Sequence, residues 1–498
     1  MVVFTIVGVV VAVLVATVGV LALLLSNKRR RYAHLPSPPL VSFWLGHVAL
    51  LEEKVRSGGF SEDLTVELAK KYGPVFVMWL AHLGRVVVSD PKAARQILSD
   101  PDALKPQLLF RSLKYTYGNR FLGGFQASQS DMDKWRRRHK IVGPFFSRKN
   151  TTDLLGPFNQ TLDKFIAYID KAAETGEFVP MKVTFPSLTS AVIATVAVGE
   201  EITKLEELFP LTRALDDVLD CAYQQMENPL SEYLPTYRNV WQRARKSCNF
   251  LRETGKRWIV RRQKEILEGA EYGNDLLSLV LKATATNGEY SLEELIDTVV
   301  DAFFGGHKTT SLTLTFALKE ILTHPEVKDR LVKEVDEVLE GKQFVSPTHL
   351  TSLKYLNCVL KETLRRHPVL TGGQRTFKSD FTAAGHKIPA DSWIELSFYT
   401  MHLDDKNWPN PKKFDPERFA SLTGEDGGLP YFPFGGGVRM CTGRLFADQE
   451  MKMAMSRLFQ KFTIELEQGG KDDNKYREYL LLCPTDPINC KFTRRQEK

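Results

Sequence analysis

Cysteine is scarce in this chain: six among 498 residues, at positions 221, 248, 358, 441, 483 and 490. No two form a CxxC pair, which disfavours structural zinc. So few over such a length do not make a disulfide framework, and a reducing compartment fits. A strong excess of either charge is also missing, since 67 Lys and Arg against 60 Asp and Glu leave a formal +7. No basic tract carries the interleaved aromatic residues of single-strand binders, so no nucleic-acid partner is expected. Internal repeats are lacking. Beyond the first forty residues neither a long linker nor a break in composition divides the chain. Length alone suggests about three domains, but this continuity favours one large fold, and 43% hydrophobic residues are enough for a sizeable core.

One long apolar run is present. Val2 to Leu25 carries no charge and is long enough to cross a bilayer as a helix. Lys28, Arg29, Arg30 and Arg31 follow it, which places the remainder on the cytoplasmic side. A cleaved signal peptide would instead carry its basic residues ahead of a shorter run. Leu35-Pro-Ser-Pro-Pro39 is a stiff extended joint. The expected division is therefore 1–34, a transmembrane anchor with a basic stop, and 35–498, a single large domain. Asn150-Thr-Thr and Asn159-Gln-Thr are glycan acceptors that a cytoplasmic domain leaves unused, so they offer a topology test.

Within the domain, Val75 to Trp79 and Arg85 to Ser89 read as short strands, and Asp90-Pro91 starts a helix. Lys105 to Gln126 is aromatic, glycine-bearing and weakly periodic, which suggests an irregular loop. Leu205 to Trp241 reads as two helices with an irregular connection. Ser291-Leu-Glu-Glu294 is a capping box opening a long helix toward Leu322, which Thr323-His324-Pro325 stops. Gly305 and Gly306 stand inside that helix at a cost of about 1 kcal/mol each relative to alanine, which points to close packing or to a ligand lying over the helix. Leu353, Leu356 and Leu360 mark the buried stripe of a further helix carrying Glu362-Thr-Leu-Arg365, with both charges on one face.

The rest of the chain is organised around Phe434 to Gly443, FGGGVRMCTG. Gly435, Gly436 and Gly437 permit positive φ and close approach of a large ligand to the backbone. Cys441 lies just before the helix that starts after Gly443, whose positive end favours the thiolate. Arg439 is suited to a carboxylate, and Phe434 to shielding the sulfur from water.

Phe434-x-x-Gly437-x-Arg439-x-Cys441-x-Gly443 resembles the haem-binding signature of the cytochrome P-450 family at every fixed position. The resemblance covers essentially the whole chain. It implies a mainly α fold with small β-sheets, one large haem domain behind a membrane anchor, and iron protoporphyrin IX bound through the Cys441 thiolate. It also implies propionate contacts from Arg439, Trp135, His139 and Arg375, where the family usually has Arg at the position of His139. Thr309 matches the residue that holds the oxygen ligand and helps deliver protons. Lys308 departs from the family's Asp or Glu there; an ammonium group only donates, and Asp301, two turns earlier, is its expected partner. Glu362, Arg365 and Arg418 of Pro416-Glu-Arg-Phe419 should form one buried cluster. The stretch 105–126 would roof the pocket, and Arg136 to Lys140 would face an acidic redox partner.

Arg31-Tyr32-Ala-His34-Leu-Pro, Trp258-Ile-Val-Arg-Arg262 and Pro484-Thr-Asp-Pro487 are most similar to the cholesterol 24-hydroxylase branch. The implied function is hydroxylation of a hydrophobic substrate, a sterol first, using O2 and electrons from NADPH through cytochrome P-450 reductase. The implied location is the endoplasmic reticulum membrane, crossed once. Lipid hydroperoxide isomerisation or dehydration, and non-enzymatic haem or lipid binding on a membrane, are the competing readings.

Overall fold

The computed structural model describes residues 2–106, 115–116, 119–120, 131–227, 231, 234–288, 290–420, 428–467, 476–478 and 481–496. These form two units, Met1–Ala103 with Gly372–Met401, and Leu104–Thr371 with His402–Lys498.

In the first unit, helix α1 (Val2–Arg30) presents apolar side chains to its surroundings along most of its length. Its foot is fastened to the unit. Arg29 lies 5.3 Å from the ring centroids of both Phe43 and Trp79 and donates to the Ala81 carbonyl. The Tyr32 and Ser392 hydroxyls are 2.9 Å apart. Strands β1 (Val75–Leu80), β2 (Leu83–Val88), β3 (Gly372–Arg375) and β4 (Trp393–Ser397) make one sheet in the order β1-β2-β4-β3. The β1–β2 pair is an antiparallel hairpin. β2 and β4 run parallel with Arg85 opposite Trp393. The valines of β1 and β2 are buried, as their β-branched shape favours. Between β2 and β4, Arg85 pairs with Glu395 at 3.0 Å. The helix Pro91–Ser99 begins where expected, with the Asp90 carboxylate accepting from the Ala93 N–H.

The second unit is mainly helical. Its principal elements are α2 (Met132–Val142), α3 (Leu155–Thr175), α4 (Met181–Val198), α5 (Phe209–Glu227), α6 (Arg238–Leu267), α7 (Leu292–Thr323), α8 (Lys354–Arg366) and α9 (Arg444–Lys461). A short sheet joins Phe462–Leu466, Asn489–Arg494 and Val179–Pro180. Helix α4 is apolar enough and long enough to cross a membrane, but 83% of it is buried in this unit, as a core helix must be. Two expected connections fall largely outside the described residues: 107–130 apart from a paired 115–116 and 119–120, and 228–233 apart from Ser231.

Helix α7 begins as its sequence predicts. The Ser291 hydroxyl accepts from the Glu294 N–H, and the Glu294 carboxylate accepts from the Ser291 N–H. Its two glycines serve different ends. A Cβ on Gly306 would sit 2.4 Å from Ile193 Cδ1 of α4, whereas one on Gly305 would meet nothing within 4 Å. Gly306 therefore lets α4 and α7 close together, and Gly305 leaves a stretch of helix that no described side chain covers. Gly306→Ala should destabilise the chain. The overpacking costs about 1–3 kcal/mol and outweighs the helix propensity gained, which Gly305→Ala should collect as a gain of about 1 kcal/mol. Urea unfolding of the two variants measures this opposition.

The glycan test of topology narrows here. The Asn159 side chain is buried; it donates to Leu155 O and Val345 O and accepts from Val345 N–H. In the folded chain that amide is already committed.

Candidate functional site

The turn at Cys441 is shaped by backbone conformation more than by lack of room. Gly435 and Gly437 have φ of 72° and 62°, values that side chains resist. Gly443 does not need to be glycine on steric grounds: its φ is −82°, and a Cβ there would make an ordinary 3.6 Å contact with Phe146. The Cys441 N–H donates to Phe434 O at 2.9 Å, and the Met440 N–H to Gly437 O. Cys441 is reached by solvent yet lies deep among protein atoms, as a residue at the bottom of a recess does. Burial pushes its thiol pKa up. The Gly443 N–H and the charges of Lys105 and Arg444 pull the other way but do not prevail. The expected thiolate preference from the helix end is thus outweighed by desolvation.

Helix α2 connects this turn to α7. The Arg439 guanidinium lies over the Trp135 ring at 4.5 Å and contacts Met132 Sδ at 3.2 Å. Trp135 also packs on His139, 4.8 Å between ring centroids. Farther along α2, Arg138 reaches the Thr298 hydroxyl at 3.0 Å and the Asp301 carboxylate at 3.5 Å. Arg439, Trp135 and His139 lie together. Burial, with Arg136 nearby, pushes the Arg439 pKa down to about 10, a penalty that an anion beside it would relieve. The basic run on α2 is only partly available to a partner: Arg136 pairs with Asp133, Arg137 with Glu294, and Arg138 with Asp301.

Asp301 is therefore not the partner of Lys308. The Lys308 ammonium lies 2.5 Å from Asp216 on α5 instead. At the pitch of α7, Asp301 and Lys308 are two turns apart, and Arg138 occupies Asp301 first. Thr309, half-buried, donates to Gly305 O at 2.7 Å, so its hydroxyl lies one turn along from the bare backbone at Gly305. His307 points away from that face. It is fully buried, its carbonyl accepts from the Thr189 hydroxyl of α4, and burial holds its pKa at about 3, which keeps it neutral.

Behind the turn stands the buried cluster of α8. Arg365 grips Glu362 through two bonds of 2.7 and 2.8 Å and also donates to His402 O, Pro411 O and Lys413 O. Arg418 lies 3.4 Å from Glu362, and the Asp415 N–H donates to the same carboxylate. His402 extends the chain of contacts: its Nε2 accepts the Phe432 N–H at 2.9 Å, two residues before the glycine turn begins. Sequence reading missed His402. Its only signal was a lone His in an apolar helix end, which is indistinguishable from a core histidine. Met132 and Asp216 were missed for the same reason, since each acts through a neighbour far away in the chain.

Arg375 belongs to the first unit, where it is buried at the end of β3 and donates to Gln374 O. Within the second unit, the recess at Cys441, the Arg439–Trp135 contact and the open backbone at Gly305 fit a large, flat, dianionic group such as haem. There is a sulfur at its base, a cation stacked on an indole ring, and, among the described residues, no side chain over the glycine.

The cytochrome P-450 family model matches residues 36–492. The chain is 28% identical to cytochrome P-450 3A12 of Canis lupus familiaris over 477 residues, covering 91% of this chain and 89% of that relative. It is 28% identical to cytochrome P-450 3A5 of Homo sapiens over 446 residues, covering 86% of each.

Proposed function

The chain belongs to the cytochrome P-450 family and is a haem-dependent monooxygenase, and from that premise we propose that it hydroxylates a hydrophobic lipid, a sterol before others, with Cys441 as the thiolate ligand. The Arg439–Trp135 contact carries this reading, because it ties the cysteine turn to α2 at the edge of the recess. Bound haem supplies oxygen activation, with the thiolate donating electron density. Arg439, Trp135 and His139 would hold one edge of the group, Arg439 by charge and Trp135 by its ring. Arg375 is a further propionate contact in this reading, and Phe434 shields the sulfur. Gly437 and Gly443 complete the turn. Gly305 carries no side chain that would crowd a bound group, and Thr309 would hold a proton at its Oγ1, which donates to the Gly305 carbonyl.

Electrons come from NADPH through a membrane-bound cytochrome P-450 reductase. Helix α1, apolar and exposed, is the single membrane crossing, and residues 35–498 are the cytoplasmic haem domain on the endoplasmic reticulum. An anchored enzyme meets its apolar substrate in the lipid. The test is a mass-spectrometric screen of sterols and other lipids with the full-length chain, reductase and NADPH. A sterol gaining one oxygen supports the reading. Turnover of lipid hydroperoxides without NADPH would favour the isomerase alternative, which the commitment of Lys308 to Asp216 motivates.

The same pair makes a sharper prediction. Asp216 is about half exposed, so the pair itself is worth roughly 0–1 kcal/mol, and neutralising either side should hardly change thermal stability. Lys308→Glu alone places two carboxylates together. Lys308→Glu with Asp216→Lys restores the pair and sets an acid beside Thr309. The double exchange should raise the ratio of product to NADPH consumed above that of either single variant, and an unchanged ratio would remove Lys308 from the proton path.

A further inference from the structure

Less than two turns into α9, on the helix that follows Cys441, lies Glu450, only 2% exposed. Phe158 and Leu162 of α3, Leu188 and Val192 of α4, and Met453 and Ala454 of α9 join it in lining a cavity of about 10 Å³. Every other lining side chain is apolar. Neither carboxyl oxygen of Glu450 has a hydrogen-bond partner among the described residues. Burial alone, with no cation opposing it, pushes the acid well above the ordinary carboxylate range. That shift favours the neutral form, which keeps one O–H donor and one carbonyl acceptor. Two unmet polar atoms in a core are costly, and native interiors meet such groups with ordered water. The cavity is close to the smallest that holds one water molecule.

We propose that this cavity is an internal hydration site in which the Glu450 carboxyl group holds a single water molecule. The water accepts from the acid O–H and donates to its carbonyl, so the two orphaned atoms satisfy each other through it. The site shares a wall with the aromatic stack beneath the cysteine turn. Phe158 packs on Phe446 at 4.8 Å, Phe446 meets Phe146 at 6.2 Å, and Phe146 lies against Gly443. A filled, bonded cavity thus supports the helix that follows Cys441. This inference does not depend on the substrate or on the oxygenase reading.

Infrared spectroscopy of the full-length protein at neutral pH tests it. A protonated-acid carbonyl band is expected in the native chain, at the lowered frequency of a hydrogen-bonded acid, and it should vanish in Glu450→Gln. Magnetic relaxation dispersion of water should count one fewer long-lived internal water in Glu450→Leu, whose side chain fills the space, and that variant should melt at a higher temperature. Absence of the band, its persistence in Glu450→Gln, or a frequency typical of an unbonded carbonyl would overturn the proposal. The native spectrum alone suffices should either variant fail to fold.

Discussion

Arg365→Ala is expected to destabilise the chain by about 3–5 kcal/mol, the usual cost of breaking a buried ion pair from one side. Both Arg365 and Glu362 have fully buried side chains. Alanine would leave the Glu362 carboxylate facing only Arg418 at 3.4 Å and the Asp415 N–H. It would also strip the donor from three carbonyls, those of His402, Pro411 and Lys413. Each unmet buried acceptor adds about 1–3 kcal/mol before relaxation. Native stability is commonly about 5–15 kcal/mol, so a loss of that size is a large fraction of the total. Urea unfolding followed by circular dichroism measures the loss. The effect should also reach the cysteine turn, because Arg365 holds His402 and His402 holds the Phe432 N–H. A variant with native stability would show that the cluster is dispensable.

Cys441→Ser should have the opposite signature. The side chain sits in a solvent-reached recess, and a serine hydroxyl can accept from the same Gly443 N–H. The fold of the haem-free chain should be retained, so that any loss of stability is confined to the haem-bound form. Chemistry should disappear: product formation falls to background, and the reduced, carbon-monoxide-treated protein loses the absorption band of a thiolate ligand. Serine is a far weaker donor than thiolate and cannot supply the electron density on which O–O cleavage depends. Retention of that band would mean that another residue ligates the iron. The two variants together separate residues that hold the fold from residues that do the chemistry.

Several features were legible because they are local. The capping box at Ser291, the helix start at Asp90, the paired strands near Val75 and Arg85, and the i, i+3 pairing of Glu362 with Arg365 each depend on neighbours a few positions away. Short-range hydrogen bonds and helical pitch are enough to place them. The shared helix face of Trp135 and His139 was readable for the same reason.

Other assignments turned on which long-range neighbour arrived first. Helical spacing offered Asp301 to Lys308, but Arg138 of another helix takes Asp301, and Asp216 takes Lys308. The paired glycines of α7 looked equivalent, yet one meets Ile193 and the other open space. The Asn159 sequence offered a glycan acceptor, and its side chain is buried against Val345. The helix end near Cys441 promised a lowered pKa, and the depth of the recess reversed it.

By itself the sequence determined the order of the helices, their caps, the cysteine signature and the apolar leading helix, since periodicity and turn chemistry act within a few residues. Only the tertiary structure decided which charges meet, which glycine packs against a neighbouring helix, and which acid has no partner in the core among the described residues. Those outcomes depend on burial and on contacts between residues far apart in the chain, and the free energy of a charge or a polar group is set by what surrounds it.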